Sequence, residues 1–177
     1  FADWLPVKRT LSGSCAPVTY RSRKLAEHLG LKNLYITFNG YFPEIGARMT
    51  TCPFKETEAY SVCGRLNGKH KDKVLVVASA RAFAKVCSDN HIPLLLSVPE
   101  ENIDALWFEA PLDDCVKLIS PRHGADYYDA IKLSDMALQS DKFFAEGGAK
   151  NVARRDGMAT TVLSAVTHIG RIPDYYF

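Results

Sequence analysis

Lys55 stands where a lysine contributes little to folding, directly after Pro53-Phe54 in the stretch GARMTTCPFKETEA, residues 46–59. Proline is favoured at the first position of a helix, so Pro53 reads as a helix start, with Thr51 or Cys52 as its cap. Phe54, Ala59, Val62, Cys63 and Leu66 carry the apolar pattern on to Leu66. Lys55 then falls in the first turn, at the positive end of the helix dipole, where a cation costs about 0.3–1 kcal/mol. A neutral amine or an imine suits that place better than an ammonium ion, which points to Schiff-base chemistry with an aldehyde. The local residues allow a blander reading as well. Glu58, three residues on, could pair with Lys55 across solvent and make it an ordinary surface lysine.

No other constellation carries a comparable signal. His28, His70, His91, His123 and His168 are dispersed, with no carboxylate or second histidine at metal-ligand spacing, so no metal site is expected. Ser12-Gly13-Ser14-Cys15 lies away from any strand-to-helix elbow and is not read as a nucleophile. Asp113-Asp114 and Glu100-Glu101 read as turn and helix-start acids. Trp107-Phe108 reads as core or a domain contact. Cys52, three residues before Lys55, reads as a small buried filler, with a side chain that faces the pocket at Lys55 as the alternative.

The elements that must position Lys55 alternate between helix and strand. Helices are expected over 21–29, from Pro53 to Leu66, and over 81–89, 101–109, 127–138 and 155–169. Strands are expected over 34–38, 73–79, 92–98, 115–119 and 142–145. The runs KVLVVAS and IPLLLSV are rich in branched aliphatics, as strands buried on both faces of a parallel sheet are. The expected fold is α/β, a mostly parallel open sheet with helices on both faces. A chain of 177 residues can bury one sizeable core. Its 47% apolar and 24% charged content is that of an ordinary globular protein. A net charge of +2, with no basic cluster interleaved with aromatics, gives no reason to expect nucleic acid or an anionic membrane. No apolar run approaches the length of a membrane span, and no signal-peptide layout is visible. Five scattered cysteines without a C-x-x-C pair read as reduced thiols in a cytoplasmic protein.

Two places break the pattern. Strand 73–79 runs into helix 81–89 with only Ala80 between them, where a βα connection usually takes about 2–6 residues. Asp174-Tyr175-Tyr176-Phe177 reads as the opening of a strand, so the chain is expected to be part of a longer one.

Several motifs together resemble one family. Pro53-Phe54-Lys55 resembles the Ser/Pro-Phe-Lys helix start of the threonine synthase group of fold-type II pyridoxal-phosphate (PLP) enzymes. Asn39-Gly40-Tyr41-Phe42-Pro43-Glu44 resembles the cysteate synthase branch of that group and departs from the Asn-Pro-Thr-Gly type of threonine synthase. Residues 17–22, 31–36, 146–151 and 154–157 resemble further stretches of the same group. The resemblance covers nearly the whole chain and implies an incomplete fold-type II (tryptophan synthase β-like) architecture. Residues of about 70–145 would form the smaller mobile subdomain. Residues 1–69 and 146–177 would belong to the larger cofactor domain, which continues beyond Phe177.

The resemblance also implies an activity: PLP-dependent conversion of O-phospho-L-serine and sulfite to L-cysteate and phosphate, in archaeal coenzyme M biosynthesis. Lys55 would be the covalent anchor and the proton-transfer base. Ser79 would remain from a Ser-Ala-Gly-Asn-Thr cofactor loop whose Gly-Asn-Thr portion is missing here, and Thr50 and Thr51 would neighbour the bound amino acid. Arg48, Lys150, Arg154 and Arg155 are candidates, by type alone, for the anionic substrates. The parent enzyme would be a homodimer. The alternatives are a threonine synthase-like or β-eliminating PLP enzyme, or a catalytically incompetent fragment or binding module with Lys55 on its surface.

Overall fold

The computed structural model describes residues 1–78 and 81–177. Strand β1 (Val18–Arg21) pairs antiparallel with β2 (Tyr35–Phe38), with Val18 opposite Phe38, and the short helix α1 (Arg23–His28) connects them. A small hairpin follows, β3 (Tyr41–Phe42) and β4 (Ala47–Arg48), turning through Gly46 at φ 82°. The sequence signal for β1 and for this hairpin was too short to separate from loop. Each exists through its partner strand.

Helix α2 (Lys55–Gly64) leads to β5 (Val74–Ala78), and α3 (Arg81–Asp89) leads to β6 (Leu94–Ser97). Then come β7 (Val116–Ile119), α4 (Tyr127–Ala137), β8 (Phe143–Ala145) and α5 (Val152–Ile169). The four later strands form one parallel sheet in the order β7-β6-β5-β8. This is the expected α/β arrangement, and the strand period decides what each face meets. Leu75, Val77, Leu94 and Leu96 face a core built with Phe83, Val86 and Cys87 of α3 and with Ala59, Val62 and Cys63 of α2. On the opposite face Ser97, wholly buried, donates its hydroxyl to the Ala130 carbonyl of α4 at 2.8 Å.

Helix α2 is covered on nearly all sides, because α5 crosses it on one side and α3 packs on the other. Gly157 of α5 lies against the backbone of Thr57 and Glu58. Helix α5 begins three residues earlier than expected, capped by the Asn151 side chain, which accepts the Ala153 N–H at 2.9 Å. Its Ser164 hydroxyl meets the Thr19 hydroxyl of β1 at 2.8 Å, which fastens the β1–β2 pair to it.

Three expectations need correction. Residues 101–109 are not an α-helix. A 3-10 turn covers Glu100–Asn102, and i→i+3 bonds such as Leu106 N–H to Ile103 C=O (2.9 Å) continue it. Ile103, Leu106, Phe108 and Leu112 all pack against the core from this segment, and that spacing takes the place of a helical stripe. Residues 174–177 form no strand, and Asp174 pairs with Arg171 at 2.8 Å. Helix α2 begins at Lys55 rather than Pro53, for a reason that lies in Glu56. No helix among the described residues is long and apolar enough to cross a membrane.

Candidate active site

Lys55 is the first residue of α2 and is exposed. The turn before it is wound by the Glu56 N–H donating to the Pro53 carbonyl at 3.0 Å, with Phe54 at the cap position and contributing no side-chain bond. Thr51 does not cap the helix as an acceptor. Its N–H (2.9 Å) and hydroxyl (2.6 Å) both donate to the carboxylate of Glu56, which is wholly buried. The Cys15 thiol is a third donor to Glu56, at 3.7 Å. The acid thus reaches back five residues to hold the approach to Lys55. Because that spacing differs from the three residues of a capping box, the sequence carried no signal for Glu56.

The pairing of Lys55 with Glu58 does not occur. Glu58 is buried and accepts from Arg154 of α5, Nε to Oε2 at 2.8 Å, which leaves Lys55 unpaired among the described residues. A second Arg154 nitrogen lies 2.5 Å from Glu146, close in charge contact but not aligned as a hydrogen bond. Burial works against the Arg154 charge. The hydrogen bond it donates to Glu58 and the two carboxylate charges outweigh it and hold the guanidinium above its usual range. Arg154 is therefore a structural cation. Arg48, Lys150 and Arg155 are exposed and remain candidates by type alone.

Thr50 is half-buried and Thr51 buried; both line a cavity of about 220 Å³ with Lys85, Ser88, Asp89 and Trp107. The hydroxyl proton of Thr51 is committed to Glu56, so towards a ligand that oxygen can only accept. Ser79 lies outside the described residues. A larger cavity, about 590 Å³, opens beside Phe54, with Asn39, Thr37, Met158 and Thr161 on its wall. The Asn39 side-chain oxygen is shielded from solvent there and has no partner among the described residues. Among the described residues no group of three or more His, Cys, Asp or Glu could hold a metal ion.

Cys52 is exposed rather than buried, and its backbone is left-handed at φ 60°. The turn into Pro53 forces it outward, where a buried filler was expected. The other four thiols are buried or half-buried. Titration with an aromatic disulfide should therefore find one fast thiol, and Cys52→Ser should abolish the fast phase. A fast phase that survives the substitution would contradict this placement.

Burial pushes the Cys15 thiol up to about 12, with the Glu56 charge adding to the effect. Burial, assisted by the hydrogen bond to Asp113, likewise raises Cys115 to about 11. An unfolded thiol titrates near 9.0, so above that value the unfolded chain holds fewer protons than the folded one. The stability these two groups contribute is complete below pH 9 and is lost as pH rises towards 11–12. The urea midpoint should fall between pH 8 and pH 10.5, and a midpoint that stays level or rises would contradict the assignment.

With this geometry in view, the comparisons with known proteins decide the family resemblance. The chain is 45% identical to cysteate synthase of Methanocella paludicola over its whole length, covering 42% of that protein. It is 47% identical to the enzyme of Methanothrix thermoacetophila and 44% identical to that of Methanosarcina acetivorans, covering 43% of each. This is a cysteate synthase-like sequence. It spans less than half the length of the curated relatives it matches. No protein-family profile matches it. Among solved structures it resembles Escherichia coli diaminopropionate ammonia lyase in complex with an aminoacrylate–PLP azomethine reaction intermediate. That match has a TM-score of 0.64 at 15% identity and covers 91% of this chain and 45% of the lyase. The apo form of that lyase matches with a TM-score of 0.59. At this identity the likeness speaks for the fold, which is the expected fold-type II architecture, present in part.

Proposed function

We propose that this chain carries the cofactor-anchoring part of a PLP-dependent enzyme that converts O-phospho-L-serine and sulfite to L-cysteate and phosphate, a step of coenzyme M biosynthesis. The observation that carries the reading is Lys55. It stands at the head of α2, exposed, with neighbouring Glu58 turned away to Arg154. Bound PLP supplies the aldehyde and an electron sink for the substrate's α-carbon. Lys55 would hold that aldehyde carbon through its amine, and the same amine would take and return the proton at the substrate's α-carbon. Thr50, with Thr51 as an acceptor, flanks the amino acid, and Ser79 contributes to the cofactor side. Residues 70–145 act as the smaller mobile subdomain, the location is cytoplasmic, and the parent enzyme is a homodimer.

The exposure of Lys55 also fits a second reading, in which this chain by itself is catalytically incompetent and Lys55 is a surface lysine. One experiment separates the two. The protein is incubated with PLP, scanned in the visible, reduced with borohydride and peptide-mapped. Label concentrated on Lys55 supports the anchor; label spread over many lysines, or none, sinks it for this chain. Turnover of O-phosphohomoserine, with none of phosphoserine plus sulfite, would replace the cysteate assignment with a threonine synthase-like one.

A further inference from the structure

Thr51 is held at each of its polar atoms. Its N–H and hydroxyl go to Glu56, and its carbonyl accepts from Arg81 Nη2 at 2.7 Å. Arg81 is the first residue of α3, where the helix dipole disfavours a cation, so helix stability does not account for an arginine there. Its guanidinium carbon lies 5.6 Å from the ring centre of Trp107. Only Cys52, Pro53 and Phe54 separate the held Thr51 from Lys55. Pro53 has a fixed φ, and the left-handed backbone at Cys52 is strained by about 1–2 kcal/mol, so the turn needs outside support to persist. The direction of this stiff turn is therefore set at Thr51.

We propose that Arg81 is a positioning residue for Lys55. By fixing the Thr51 carbonyl it sets the direction in which the Lys55 amine leaves the head of α2, and it ties that direction to α3. The inference rests on the reading of Lys55 as the cofactor anchor. Glu56 holds Thr51 from within α2 itself, whereas Arg81 holds it from a different helix, thirty residues along the chain. Arg81 can thus transmit a displacement of α3 to the lysine.

The test uses Arg81→Gln and Arg81→Lys in this chain, the lysine variant keeping a cationic donor for the carbonyl. Hydrogen–deuterium exchange should speed up about tenfold or more in the peptide around residues 48–56 of Arg81→Gln, with the α5 peptides unchanged. The share of PLP-derived label on Lys55, relative to the other lysines, should fall severalfold in Arg81→Gln and largely recover in Arg81→Lys. Unchanged exchange around 48–56, or an unchanged label share where the unsubstituted chain labels Lys55, overturns the proposal. Exchange raised equally throughout both variants also overturns it, since that marks a purely structural arginine. If the unsubstituted chain labels no lysine selectively, the reading of Lys55 fails on its own. The exchange result then still decides whether Arg81 positions the turn.

Discussion

Replacing Gly157 by alanine should destabilise the protein by about 3 kcal/mol, the upper end of what overpacking costs. An alanine Cβ at this position would sit 2.4 Å from the Thr57 carbonyl oxygen, 2.7 Å from the Glu58 Cα and 2.8 Å from the Thr57 carbonyl carbon. All three atoms are backbone, so no side chain can swing aside, and α2 and α5 would have to separate. Inside an exposed helix the same change would gain about 1 kcal/mol from helix propensity, so the sign of the result is itself the test. Equilibrium urea unfolding of Gly157→Ala measures it, and a stabilised variant would mean that the two helices do not cross this closely. The displaced helix is the one that carries Lys55, so the variant should also lose selective labelling there.

Arg154→Ala should cost about 3–5 kcal/mol, the usual penalty for removing one partner of a buried ion pair. Glu58 and Glu146 would be left as neighbouring carboxylates with 5% and 11% of their side chains exposed, too little for water to replace the guanidinium. Glu58→Gln should cost less, because Arg154 keeps Glu146. A double-mutant cycle of Arg154→Ala with Glu58→Gln should return part of the loss as a positive coupling. Strict additivity in that cycle would show that Arg154 and Glu58 do not interact. This clamp joins α5 to the first turn of α2, so its loss should loosen the base of the candidate site as well as the fold.

Much of the architecture could be read from residue order. Val74–Ala78 and Leu94–Ser97 are strands because their branched aliphatics favour extended backbone on a surface covered from both sides. Helix α3 shows Ala82, Phe83, Val86 and Cys87 on one stripe, which local periodicity reveals. Helix α2 shows no such stripe. Glu56, Thr57, Glu58 and Ser61 are buried in it, so polarity would have placed outside what packing places inside. Cys52 failed in the opposite direction, a small thiol turned outward by backbone geometry that residue type does not encode.

The sequence by itself determined where the candidate lysine stands. Pro53 starts the turn and Lys55 follows two residues on, an effect that acts over a few residues. It also determined the parallel strands, whose signal is equally local. Only the tertiary structure decided the electrostatics around that lysine. Glu58 chose Arg154, ninety-six residues away, over Lys55, three residues away, and Thr51 gave its carbonyl to Arg81. A buried carboxylate needs a partner that can follow it into the interior, and chain proximity does not supply one. Which cation meets which anion is settled by how the helices cross, which depends on the whole fold.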